Sequence, residues 1–512
     1  MCASDRGRTA ATHEERYNPR MAVQYEAVIG LEVHAQLLTV SKLFCGCSAA
    51  FGAAPNTHVC PVCLGLPGAL PVANGHAVHL ATRAGLALGC SVERNSRFAR
   101  KNYFYPDLAK GYQISQFERP LNAHGKLLIE GDPVDGQPRE REVHIERIHM
   151  EEDAAKNIHG ASGSSDTLVD FNRAGVALIE IVGGPDLRSS AEAESYLRRI
   201  HEVLMFCGVN DGNLEEGSFR CDANVSIRPV GESKLGTRTE LKNINSFRFV
   251  RKAIDYEIKR QEILVSGGGR VVQETRTWNE AAGKTLSMRS KEEAHDYRYF
   301  PDPDLPPLTI SEEAFAQARD SVPELPAQLR ARYQAELGLT AYDAAVLTTH
   351  PLIARFFEES TGLLVQKAGE ARSAAGKRVA NFIQSEVLRY VGTVGLTATF
   401  PVTADRLAGL LALVQKGSIS GKMAKDVFEA MRESGSDAES VVAEQGLSQV
   451  SDAGAIEVVV REVLAQSAKQ VAQYRGGNDK LLGFFVGQVM KATKGAANPA
   501  LVNDTLKKLL AE

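Results

Sequence analysis

The sequence is poor in the residues that staple or span a fold. It has 8 cysteines and 1 tryptophan in 512 residues. No run approaches the roughly 18 consecutive apolar residues of a membrane helix. So few cysteines exclude a disulfide scaffold. A polar beginning without the apolar core of a secretion signal points to a reducing cytoplasm and away from a membrane. Neither sign of charge dominates. The net value is −4, so any nucleic-acid contact has to come from a local patch. Common signatures are also missing. Ala282-Gly283-Lys284-Thr285 resembles the end of a phosphate-binding loop, but Trp278 stands where its first glycine is required. No HExxH or GxGxxG run occurs. Cys2 follows Met1, as in enzymes whose terminal cysteine releases ammonia from glutamine, but the polar residues after it offer no strand to seat it.

What remains is an ordinary globular composition, 44% apolar and 24% charged, in a chain long enough for about three domains. Residues 1–21 read as a disordered extension, with Met21 a candidate true start. Residues 22–38 read as a strand with Glu32, His34 and Gln36 on one face and Leu31, Val33 and Ala35 on the other. The polar face is either a site wall or a solvent face. Cys45-Gly-Cys47 and Cys60-Pro-Val-Cys63 are two close pairs separated by twelve residues. This is the pattern of a knuckle holding tetrahedral Zn²⁺ through four thiolates, against the alternative of free thiols; with no spare ligand, the role would be structural.

Residues 97–119 hold six aromatics in 23 residues, against 6% in the whole chain, interleaved with Arg97, Arg100, Lys101, Lys110 and Arg119. That mixture suits phosphate plus a stacked base, or equally a tyrosine-rich packing loop. His149-Met-Glu-Glu-Asp153 puts His149, Glu151 and Asp153 on one face of a strand and Glu152 on the other. It is either a solvated acidic turn or carboxylates awaiting a cation. Residues 168–182 read as a hairpin turning near Arg173-Ala-Gly175. Its Glu180 lies inside an apolar run and costs free energy without a partner. An amphipathic helix follows over 189–207, capped by Ser189 or Ser190. Residues 213–228 and 239–248 add further polar-faced strands, and 296–304 closes the region.

These patterns predict an α+β chain: a large antiparallel-β domain with flanking helices over 22–305, an all-helical domain over 306–401, and a helical tail domain over 402–512. Lys and Arg outnumber Asp and Glu eight to four over 461–512.

Eight ordered runs resemble the B subunit of the tRNA-dependent amidotransferase family. They are Ile29-Gly-Leu-Glu-Val-His34, Arg100-Lys-Asn-Tyr-Phe-Tyr-Pro-Asp107, Tyr112-Gln-Ile-Ser-Gln-Phe117, His149-Met-Glu-Glu-Asp153, Leu178-Ile-Glu-Ile-Val182, Glu215-Glu-Gly-Ser-Phe-Arg-Cys-Asp-Ala-Asn224, Glu240-Leu-Lys-Asn-Ile-Asn-Ser-Phe247 and Asp296-Tyr-Arg-Tyr-Phe-Pro301. Gly417-Ser-Ile-Ser-Gly-Lys-Met-Ala-Lys425 and Met490-Lys-Ala-Thr-Lys-Gly495 extend the likeness into the tail. The resemblance implies ATP- and Mg²⁺-dependent conversion of Glu-tRNA(Gln) to Gln-tRNA(Gln), of Asp-tRNA(Asn) to Asn-tRNA(Asn), or both. It further implies that the antiparallel-β domain over 22–305 is a catalytic cradle domain, that the chain works in a heterotrimer, in which one partner is an amidase and the other a small linking protein, and that the tail grips tRNA. On this resemblance Glu32, His34, Lys101, Tyr103 and Glu152 are expected catalytic residues. Arg100, Lys101, Lys242 and Asn243 are expected to hold the nucleotide or aminoacyl end. Glu32, His34, Glu151, Glu152, Glu180 and Glu216 are the Mg²⁺ candidates, and Cys45, Cys47, Cys60 and Cys63 the Zn²⁺ ligands.

Overall fold

Tyr25–Gln36 alternates as its sequence requires: Leu31, Val33 and Ala35 are fully buried, while Glu32, His34 and Gln36 are only partly covered. It forms β1, central to a nine-stranded sheet in a computed structural model that describes residues 23–159, 166–290, 297–396, 399–447, 453–493, 497 and 499–511. The extension 1–21, Asp296 of the 296–301 run, and residues 494–495 of the 490–495 run lie outside the described residues.

The remaining strands are β2 (Ser91–Val92), β3 (Asn95–Ser96), β4 (Ala99–Asn102), β5 (Tyr112–Ser115), β6 (Asn122–Val134), β7 (Gln137–Glu152), β8 (Lys156–His159), β9 (Thr167–Asp170), β10 (Ala177–Gly183), β11 (Phe219–Pro229), β12 (Thr239–Lys242), β13 (Glu274–Asn279), β14 (Lys284–Ser290), β15 (Phe300–Pro301) and β16 (Leu308–Thr309). The large sheet runs β14-β13-β12-β11-β1-β10-β7-β6-β2, and a small sheet runs β15-β4-β5. Helices α1 (Gly75–Ala87), α2 (Ser190–Phe206) and α3 (Phe247–Ser266) pack on the apolar face. Ser189 caps α2 by accepting from the Glu192 amide. Each fully buried Leu, Val or Ile on that face contributes about 1.5–3 kcal/mol.

Two expectations need correction. The sheet is mixed, because β12 and β13 run parallel. Helix α3 makes the crossover that a parallel pair needs. Residues 168–182 turn at 171–176 but do not pair with each other: β9 joins β8, while β10 lies between β1 and β7. The apolar side chains of β10 are buried on a central strand, which a free hairpin could not offer.

The chain divides into two compact units, Met1–Pro323 and Glu324–Glu512. The first also holds α4 (Glu312–Asp320), capped by Ser311 and packed on α1. The second is helical, with α5 (Pro326–Leu337), α6 (Ala341–Leu347), α7 (Pro351–Ala368), α8 (Arg372–Phe382), a π turn (Ile383–Val387), α9 (Leu388–Val394), α10 (Ala404–Gln415), α11 (Gly421–Ser434), α12 (Ala438–Glu444), α13 (Ala453–Gln466), α14 (Ala468–Arg475), α15 (Leu482–Ala492) and α16 (Pro499–Ala511). Helices α13, α15 and α16 share a core in which Val460, Phe485, Val489, Val502 and Leu506 are fully buried. Among the described residues no helix is long and apolar enough to cross a membrane.

Phe485→Ala should remove about 3–5 kcal/mol from the stability of the last helices, read by chemical denaturation with a probe in α16.

Candidate functional site

Strand register builds the site on the polar face. In the antiparallel ladder, His34 of β1 lies opposite both Arg220 of β11 and Glu180 of β10, and Glu180 lies opposite His149 of β7. One row of side chains therefore crosses four strands. His34 Nε2 is 3.4 Å from Glu180 and 3.7 Å from Glu151. His149 Nε2 is 3.5 Å from Glu180 and 3.9 Å from Glu151. One ligand atom each from His34, Glu151 and Glu180 lies within 4.8 Å of the others.

Burial opposes the charge on Glu180, but His149 and His34 outweigh it and hold the carboxyl well below its usual range. Burial likewise opposes the charge on His34. Hydrogen bonding to Glu180 and the fields of Glu180 and Glu151 prevail and raise it to about 9. Two residues along β1, Glu32 accepts from Asn224 Nδ2 at 2.8 Å; burial, then Glu180 and Asp222, raise its pKa. Lys242 pairs with Asp222 at 2.6 Å and Glu240 at 3.2 Å. Lys101 sits 5.1 Å over the Tyr297 ring. Burial works against its charge, yet Glu151 and then Tyr299 and Glu180 hold it above its usual range. Tyr103 packs edge-on to Tyr297 at 5.8 Å, and burial pushes its hydroxyl upward.

The other strand phase points elsewhere. Successive residues of a strand face opposite sides, so Glu152 turns away from Glu151. It meets Lys110, accepts from the Ile114 amide at 2.9 Å, and lines a cavity of about 200 Å³ with Cys63 and Arg100. By the same alternation Arg100 leaves Lys101 for Asp302 (3.0 Å) and Asp304 (2.7 Å), its guanidinium 4.2 Å over the Tyr112 ring. Glu216 is exposed in a turn, its amide donating to Asn213 Oδ1 at 3.0 Å. Asn243 is exposed and left-handed at φ 61, donating to Thr277 Oγ1 at 3.0 Å. The structure thus unites His34, Glu151 and Glu180, with Glu32 alongside and Lys101 facing them, and leaves Glu152, Arg100, Glu216 and Asn243 outside that group.

The four thiols of Cys45, Cys47, Cys60 and Cys63 do converge, all within 4.8 Å. Hydrogen bonding from Cys45, with the Cys60 amide and the Lys42 charge, outweighs burial and lowers the Cys63 thiol to about 4. Lys42 is fully buried and donates to the carbonyls of His58 (2.7 Å) and Phe171 (3.3 Å). Four soft donors at this spacing could hold a metal ion: a tetrahedral site with bonds of about 2.3 Å separates its sulfurs by about 3.8 Å.

Three participants lay outside the expected set. His149 completes the row, and its Nδ1 is buried without a hydrogen-bond partner among the described residues. Its alternation with Glu151 was the available signal. Asp222 anchors Lys242. Asp153 is buried between Gln36 Nε2 (2.8 Å), Arg220 Nη2 (2.9 Å) and Arg173 Nε (3.7 Å), and this trio joins β1, β11 and the loop after β7.

The GatB/GatE catalytic domain family matches residues 27–316, and the GatB domain family matches residues 364–510. A relative from Syntrophotalea carbinolica, named as the B subunit of an aspartyl/glutamyl-tRNA(Asn/Gln) amidotransferase, is 56% identical over 96% of this chain and 99% of its own. Relatives of the same name from Geotalea uraniireducens (55% identical, 95% of this chain, 100% of its own) and Myxococcus xanthus (52%, 95% and 99%) are similar throughout.

Burial raises the Asp153 pKa, but Arg220, Arg173 and Gln36 outweigh it and hold it below the usual value. A carboxyl depressed on folding stabilises above its unfolded pKa, and that contribution is lost as pH falls through the folded value. Arg220→Met should therefore cost about 1–3 kcal/mol at neutral pH, the lower figure allowing for the exposed part of Arg220. In urea unfolding, the gap from the unmodified chain should hold down to about pH 5 and shrink below about pH 4.

Proposed function

The chain belongs to the family of aspartyl/glutamyl-tRNA(Asn/Gln) amidotransferase B subunits, ligases of tRNA amidation, and from that premise we propose that it activates the side-chain carboxylate of glutamate or aspartate already esterified to tRNA. A carboxylate is a poor electrophile for ammonia. Transfer of the ATP γ-phosphoryl group to a carboxylate oxygen gives an acyl phosphate and ADP. The ammonia nitrogen then attacks the carbonyl carbon, the bond to the phosphate oxygen breaks, and the amide remains with inorganic phosphate released. The products are Gln-tRNA(Gln) or Asn-tRNA(Asn).

The observation that carries this reading is the His34, Glu151 and Glu180 group beside Lys101. Two carboxylates, with Glu32 next along β1, fit a hydrated Mg²⁺ that keeps several non-protein ligands; His34, protonated without the ion, would release its proton to ligate directly or would act through water. Mg²⁺ held there would neutralise charge on the nucleotide phosphates. Lys101 would face the transferred phosphoryl group, and Tyr103 would orient the aminoacyl end. Lys242 is held charged by Asp222 and Glu240 for the same anionic substrates. Glu152, Glu216, Arg100 and Asn243, which point elsewhere, are not in the proposed metal and phosphate set.

The knuckle thiols would bind a structural Zn²⁺, which would tie the 45–47 and 60–63 loops together. Ammonia would come from the amidase partner, which the small third protein of the heterotrimer would join to this chain. The helical stretch 306–401 and the tail 402–512 would form separate domains, the tail gripping the tRNA body. Its basic excess supports that role.

The test is co-expression with candidate amidase and linking partners and assay of misacylated tRNA with and without ATP. Amidation should require ATP. His34→Ala and Glu180→Gln should each lower ammonia-driven amidation by about 10²–10³, while glutaminase activity in the amidase partner persists. Survival of amidation in either variant would overturn the assignment. Metal analysis should find one zinc per chain, lost in Cys60→Ser.

A further inference from the structure

The aromatic run 97–119 and the segment 297–301 meet in a line of rings, of which the chemistry above uses only Tyr103. Its inner end is Lys101, 5.9 Å over Tyr103 and 5.1 Å over Tyr297. From there Tyr103 contacts Tyr297 at 5.8 Å, Tyr297 contacts Tyr299 at 6.1 Å, and Tyr299 stacks on Phe117 at 4.2 Å with 6° between the planes. Its outer end is open: Phe117 is 52% exposed and Phe300 45%. Arg97, ion-paired with Glu118, borders a small hollow there with Phe117, Tyr299 and Phe300.

The backbone is held to make this line. Arg298 adopts φ 44, a left-handed conformation that side chains other than glycine seldom take, and it stands between the two tyrosines. Asn102 fixes it. The Asn102 amide donates to the Tyr297 carbonyl at 3.0 Å and its Nδ2 to the Arg298 carbonyl at 2.8 Å. A strained residue clamped by a neighbouring strand is a cost that simple packing does not demand. Nor does packing explain half-exposed rings at the outer end.

We propose that Phe117, Tyr299, Tyr297 and Tyr103 form a stacking track for the unpaired 3′ nucleotides of the aminoacyl-tRNA, leading the esterified amino acid to Lys101. Rings tolerate any base, because every base presents a π face. The adenine of ATP would need one ring or a pair, not a line of four running from exposed Phe117 to half-buried Tyr103. The inference rests on the tRNA-amidation reading and names where that substrate's end would lie.

The experiment uses the assembled heterotrimer carrying Phe117→Ala, Tyr299→Ala or Phe117→Tyr. Ammonia-driven amidation is followed at varied tRNA and varied ATP. Phe117→Ala and Tyr299→Ala should raise KM for misacylated tRNA on the order of tenfold. KM for ATP should stay within about twofold, and Phe117→Tyr should behave as the unmodified enzyme. Binding of tRNA trimmed of its unpaired 3′ end should be equal in all forms. An unchanged KM for tRNA overturns the track, and a raised KM for ATP instead assigns the rings to the nucleotide. Weaker binding of trimmed tRNA makes the rings structural. Failure of the unmodified enzyme to amidate with ATP overturns the parent reading itself.

Discussion

A carboxylate packed among other side chains on a central strand is costly unless charge of the opposite sign reaches it. Glu180 sits in that position, between Ile179 and Ile181, both fully buried. An unpaired buried carboxylate costs several kcal/mol. Here the relief comes from both sides at once, His34 from β1 and His149 from β7. The same contacts fix register. A slip of one residue would carry Glu180 to the helix-covered face and set an isoleucine against two imidazoles. Fold and site thus share one constraint, and the sheet cannot pair these three strands correctly without assembling the group.

Alternation then divides labour between neighbours in sequence. Glu151 faces the imidazoles, and Glu152 faces Lys110 and the thiol side. Lys101 faces the acidic group, and Arg100 faces Asp302 and Asp304. Gly175 serves the second side through its backbone. A Cβ there would meet only ordinary contacts, 3.4 Å from Cys63 Cβ and 3.6 Å from Lys42 Cδ, but the residue is left-handed at φ 85. The turn before β10 closes beside the knuckle because glycine takes that conformation without strain.

Much of this was legible in the residues, because period and spacing are local. The two faces of β1 and β11, the cap of α2 and the convergence of four cysteines all follow from patterns within one segment. Pairing is not local, and there the sequence was silent. Nothing within 168–182 says that β9 will prefer β8, or that β12 will take β13 as a parallel neighbour. Glu151 and Glu152 were both put forward for Mg²⁺ on their chemistry, although the alternation read along the strand already sent them to opposite faces, and there they lie. Tyr297 and Tyr299 needed the left-handed turn at Arg298, which no propensity of arginine announces.

An acidic chain that handles polyanions must keep its positive charge where it is used. The polar face does so by pairing cations with acids that sustain them. Lys242 is held by Asp222 and Glu240, Lys101 by the fields of Glu151 and Glu180, and Arg220 by Asp153. None of these groups has to be charged or moved at the moment a substrate arrives, so the electrostatic cost of ordering them is met during folding. An exposed patch of lysines would attract phosphate as well but would leave its direction undefined. Cations held by named carboxylates present fixed charges in fixed places, which the phosphoryl transfer proposed above would require.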